Sequence, residues 1–181
     1  MRRLLAGAAV VALLPLSGCS TSSTATPPLT FPERLVPDPL PGFELTPQPT
    51  LEKRFAALGR TSLISSGRVF TIRSGATVQG SFQTTMFQKG VSNQDLTVQK
   101  GIEKGLGAGG NGFTTIHLGL AKIYTAPNQD EVLYLWFPPQ HNVMELFVMR
   151  SGFSGAGQLV RTLVADQLGV YVKPPLPGGT S

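Results

Sequence analysis

The stretches Glu131-Val132-Leu133-Tyr134-Leu135-Trp136-Phe137 and Val143-Met144-Glu145-Leu146-Phe147-Val148-Met149-Arg150 decide the fold. Each is short, rich in aromatic and β-branched residues and bounded by turn formers, the signature of a strand. Successive side chains of a strand point to opposite faces. Leu133, Leu135 and Phe137 therefore oppose Val132, Tyr134 and Trp136, and Leu146 and Val148 oppose Phe147 and Met149. Both strands are apolar on both faces, so something must cover each side of the sheet. One cover is the chain itself, through the Leu35 to Leu45 segment or the C-terminal tail folding back. The other is an apolar ligand or partner surface framed by Tyr124, Tyr134 and Trp136, with Phe137 and His141 contributing from the loop that ends at Asn142.

The surrounding pattern supplies the rest of an α+β domain. Phe70 and Ile72 share a face in Arg68 to Arg73, and Val78, Phe82 and Met86 alternate with Gln79, Ser81, Gln83 and Thr85 in Thr77 to Phe87, with Ser74-Gly75-Ala76 turning between them. Ser92 followed by Asp95 resembles a capping box, after which Val98, Ile102 and Leu106 draw one amphipathic helix. Phe113 to Leu118 and Leu120 to Thr125 read as further hairpin arms, and Leu159, Val160, Leu163, Val164 and Leu168 as a second helical stripe that Gly169 ends. A short helix starts near Leu51. The expectation is a twisted, mainly antiparallel sheet of about six strands with two main amphipathic helices packed on one face. The folded unit spans 51–173, followed by a loose tail over 174–181.

The amino terminus speaks about location. Arg2 and Arg3 precede an apolar run from Leu4 to Leu14, which is the proportion of a secretory signal and too short for a transmembrane helix, where about 20 apolar residues are needed. Leu16-Ser17-Gly18-Cys19 follows, and this stretch resembles the lipobox of bacterial lipoprotein precursors. The resemblance implies a signal peptide over 1–18, removed by signal peptidase II after a diacylglyceryl transferase has modified Cys19. Acyl chains on that sulfur would then fix the protein to the extracytoplasmic face of the cell membrane. More than one chain is needed for stable attachment, because a single myristoyl-sized chain binds only reversibly at about 0.8 kcal/mol per buried methylene. The charge-poor body, rich in Ala, Gly and Pro, is similar in style to actinobacterial envelope lipoproteins.

Removal of 1–18 leaves 163 of the 181 residues, enough for one domain and a tether, and lowers the formal charge from +5 to +3 with the loss of Arg2 and Arg3. The remaining basic residues are scattered, which argues against a nucleic-acid partner. Cys19 is the sole cysteine, so the fold has no intramolecular disulfide to rely on. Residues 19–50 read as a Ser/Thr/Pro-rich tether, able to reach about 30 Å as a coil or about 95 Å as polyproline helix. Its second half, with Leu35, Val36, Leu40, Phe43 and Leu45, has apolar side chains enough to pack along the domain instead.

No stretch reads as a reaction centre. Gly105 to Gly110 satisfies a dinucleotide-binding string, but it follows a helix rather than opening one. Gly152-Phe153-Ser154-Gly155-Ala156 sits between a strand and a helix, as a nucleophile elbow does; Ala156 breaks the motif and no histidine follows, so Ser154 reads as a helix cap. His117, His141, Asp130, Glu131 and Glu145 lack metal-ligand spacing and read as solvated. No cofactor and no metal is expected. The functional expectation is a non-enzymatic, lipid-anchored binding or accessory module that offers a sheet face to an apolar ligand or an envelope protein. A small hydrolase using Ser154 or a histidine, and a purely structural envelope protein, are the alternatives.

Overall fold

A computed structural model describes residues 36–58, 63–106 and 112–169. The signal segment, Cys19, the first part of the tether, most of the glycine-rich loop and the tail lie outside these residues.

Three two-residue turns set the sheet. β2 (Ile64–Ser74) and β3 (Thr77–Phe87) meet at Gly75-Ala76; β4 (Thr114–Leu118) and β5 (Ala121–Asn128) meet at Gly119-Leu120; β5 and β6 (Glu131–Trp136) meet at Gln129-Asp130. Gly75 and Gly119 adopt positive φ, as does Gln129 at 51°, the backbone that tight hairpins demand. A longer turn leads from β6 to β7 (Val143–Arg150), which returns to pair with β3. The result is one antiparallel sheet of order β1-β2-β3-β7-β6-β5-β4.

The sheet has seven strands rather than about six, because β1 (Glu44–Pro47) pairs with β2. This strand lies in the segment whose Ser/Thr/Pro-rich composition reads as a tether. Proline is tolerated on an edge strand, and Pro47 stands at the end of one. The domain therefore begins well before Leu51. Val36, Leu40, Phe43 and Leu45 pack into the core, with Phe43 and Phe153 6.0 Å apart. α1 (Pro49–Leu58) continues beside β2: Gln48 N–H donates to the Val69 carbonyl, and the Glu52 carboxylate accepts from Val69 N–H and pairs with Arg68 at 2.8 Å.

The two main helices do not share a face. α3 (Ala156–Gln167) lays Leu159, Val160, Leu163 and Val164 over Phe70, Phe82, Phe147, Tyr134 and Trp136. α2 (Leu96–Gly105) lays Ile102 and Val98 over the opposite set, Leu133, Leu135, Leu146 and Phe137. Alternation along β6 and β7 thus feeds two cores, which is why both strands carry apolar side chains on both faces. On the α3 face Phe70, Phe82 and Phe147 form a cross-strand row with ring centroids 6.0 and 4.8 Å apart. Beside it Gly80 lets β7 approach closely, since a Cβ there would collide with the Val148 carbonyl. Burial of each such aromatic contributes roughly 1.5–3 kcal/mol.

Candidate functional site

The aromatic residues expected to frame a binding surface are not brought together. Tyr134 and Trp136 lie beneath α3, 7% and 2% exposed. Tyr124 and Phe137 lie on the other face, in an edge-to-face contact at 6.2 Å. Burial raises the Tyr134 hydroxyl above the usual tyrosine range, an effect that Arg161 partly offsets. His141 is exposed in the β6–β7 turn, where its carbonyl rather than its ring is engaged. The chain itself fills the surface that was assigned to an apolar ligand.

The capping and elbow motifs also resolve. Asp95 caps α2 itself, its carboxylate accepting from Thr97 N–H at 2.7 Å, while Ser92 accepts from Gln94 N–H. Gly155, not Ser154, is the N-cap of α3. Ser154 and His141 stand at opposite ends of β7, roughly 25 Å apart at the usual rise per residue. These two cannot form the pair a serine hydrolase needs. Among the described residues, no three His, Cys, Asp or Glu side chains gather as metal ligands.

Two polar clusters that periodicity does not announce meet the start of β7. On the α2 side, the Nδ2 of buried Asn93 lies 2.7–2.9 Å from the carbonyls of Pro138, His141 and Val143, its two hydrogens shared among the three. Its backbone N–H donates to Asn142 Oδ1, its carbonyl accepts from Gln99 Nε2, and Asn142 Nδ2 donates to the Val91 carbonyl. This network ties the loop before α2 to the β6–β7 turn. Every polar group of Asn93 has a partner.

On the α3 side the register places Arg68, Thr84, Glu145 and Trp136 side by side on β2, β3, β7 and β6. Ser66 lies one position along β2 on the same face, opposite Met86. Glu145 is fully buried, Thr84 equally so. Gln167, at the end of α3, donates through Nε2 to Glu145 Oε2 at 2.9 Å. Glu145 Oε1, Thr84 Oγ1 and Ser66 Oγ have no hydrogen-bond partner. Desolvation disfavours a carboxylate here, and with only the Gln167 amide opposing it the Glu145 carboxyl is pushed up to about 8.

Glu145 therefore does not have the solvated role read from the sequence. The signal was present: a strand apolar on both faces has no wet side on which to place a glutamate. Neutral at pH 7, the carboxyl can donate one hydrogen bond and accept others, whereas the carboxylate can only accept. The site can hold or release a proton in the physiological range. No family model matches the chain, and no curated protein or solved structure is detectably similar to it.

Proposed function

We propose that the protein is a non-enzymatic, lipid-anchored accessory module of the bacterial cell envelope, held on the extracytoplasmic face of the cell membrane by acyl chains on Cys19. The observation that carries this reading is Leu16-Ser17-Gly18-Cys19 at the end of a short apolar run behind Arg2-Arg3. Diacylglyceryl transferase and signal peptidase II are its processing partners. The packing of Val36 against Val143 and the α3-side core supports a short leash. From Cys19 to Val36 is 17 residues, which even fully extended span at most about 60 Å.

With the apolar clusters on both sheet faces covered by α3 and α2, contact with an envelope protein falls to the sheet edge. Among the described residues β4 has no neighbour on its outer side; Thr114, Thr115 and His117 are exposed there, and Leu120 in the adjoining turn is fully exposed. An unguarded edge is a template for strand addition. The covered faces equally favour a second reading, a purely structural envelope protein. A photo-crosslinking residue at position 115 or 117 in living cells separates the two: an adduct with an envelope protein supports the accessory role, and none supports the structural one.

The anchor itself is tested with Cys19→Ala. Expected are loss of fatty-acid incorporation and release from the membrane fraction, with the far-ultraviolet dichroism of the domain unchanged, because the described strands and helices begin at Glu44. Unaltered membrane fractionation and labelling would overturn the reading.

A further inference from the structure

We infer that the end of the sheet carrying the β4–β5 and β6–β7 turns docks on the lipid bilayer, with Leu120 entering the headgroup layer as a wedge. The register brings the parts of this end together. Met86, near the end of β3, is opposite Val143, the first residue of β7; Trp136, the last of β6, is opposite both Glu145 and Ile123; Leu118 is opposite Ala121. The Asn93 network holds the loop before α2 against the same end. Among the described residues, the large apolar side chains left exposed are Leu120, wholly in water at the tip of its hairpin, and Leu96, three residues after Asn93. Both stand here, whereas the two-residue turns at the other end, Gly75-Ala76 and Gln129-Asp130, carry no large apolar side chain. A single exposed leucine is ordinary on a protein surface. Two of them beside the point where the anchored chain arrives single out this end.

Val36, the first described residue, packs on Val143 beside Met86, so the chain from Cys19 joins the domain at this end. Those 17 residues have a coil reach of about 23 Å. The 11-residue β3 is roughly 35 Å long. A relaxed leash therefore presents this end to the membrane, and turning the domain over stretches it. The contact is apolar rather than electrostatic, because exposed Lys89 and Lys122 are offset by exposed Asp38, Asp95 and Asp166. An isolated leucine gains little from entering a bilayer, but on an anchored chain the contact is intramolecular and meets lipid at high effective concentration. In this pose the strands stand along the membrane normal and the β4 edge remains free to meet a neighbouring protein. The inference rests on the anchor reading for its leash.

The test imposes the leash chemically, which separates docking from native acylation. The mature chain is coupled through Cys19, its sole cysteine, to maleimide lipid in phosphatidylcholine nanodiscs that also contain a gadolinium-chelating lipid. Amide signals of Leu96, Leu120 and Ala121 are expected to lose at least twice the intensity lost by Ala76 and Gln129 at the far end, in low and high salt alike. Leu120→Asp alters a side chain outside the core and keeps the leash; it should at least halve that difference and leave the spectrum of the uncoupled chain otherwise unchanged. Equal broadening at both ends, a difference abolished by salt, or an undiminished difference in Leu120→Asp, as leash geometry alone would give, would each overturn the docking. A failure of acylation in cells would count against the anchor and leave this result standing.

Discussion

Asn93 and Glu145 are both buried polar side chains, both lie at the start of β7, and they are held in opposite ways. Asn93 spends its amide on three carbonyls and receives a bond from Gln94 Nε2 on its own oxygen. Glu145 has one partner for two oxygens and an orphan hydroxyl beside it. Burial of a polar group is destabilising only to the extent that its hydrogen bonds are not replaced. The α2 side is thus a fixed tie, and the α3 side stores a pH-dependent cost.

The largest expected difference lies in pH dependence. With its folded pKa raised from 4.5 to about 8, Glu145 is protonated in both states below pH 4.5. As pH rises from there the unfolded chain ionises first, so stability falls until about pH 8 and then levels off, with a total loss of about 4–5 kcal/mol. Urea unfolding at pH 5, 7 and 9 should show this decline, and Glu145→Gln should largely flatten it; a variant that keeps the slope would remove Glu145 as its source. Next in size, Asn93→Ala removes the side-chain donor shared by the Pro138, His141 and Val143 carbonyls and should cost about 3 kcal/mol. That loss should be equal at pH 5 and pH 9, and a pH-dependent loss would break the contrast. Smallest, Thr84→Val replaces the orphan hydroxyl with a methyl of similar shape and should raise stability by about 1 kcal/mol. A loss in thermal unfolding would mean that the hydroxyl has a partner after all.

Much of the architecture was legible because alternation reports directly on strands. Phe70 and Ile72, the Thr77 to Phe87 pattern, and the stripes through Ile102 and Leu163 all mark elements that form. The number of strands was not, because Pro41, Pro47 and Pro49 mask a strand whose edge position makes proline harmless. Nor was the placement of the helices. Two-sided apolarity in Glu131 to Phe137 states that both faces need covering, but not which segment covers which face, and the answer is one helix on each. That same ambiguity made Tyr134 and Trp136 look available to a ligand when α3 occupies their face. The polar corner was hidden for a different reason: its members come from β2, β3, β7 and α3, and only the register aligns them.

The central claim is that a carboxyl group sits neutral inside this fold at physiological pH, and the side-chain carboxyl carbon resonance of Glu145, assigned by comparison with Glu145→Gln, reads it directly. The account predicts a protonated chemical shift at pH 6.5 that moves to the carboxylate position with a midpoint near pH 8. A carboxylate shift already present at pH 6 would contradict it.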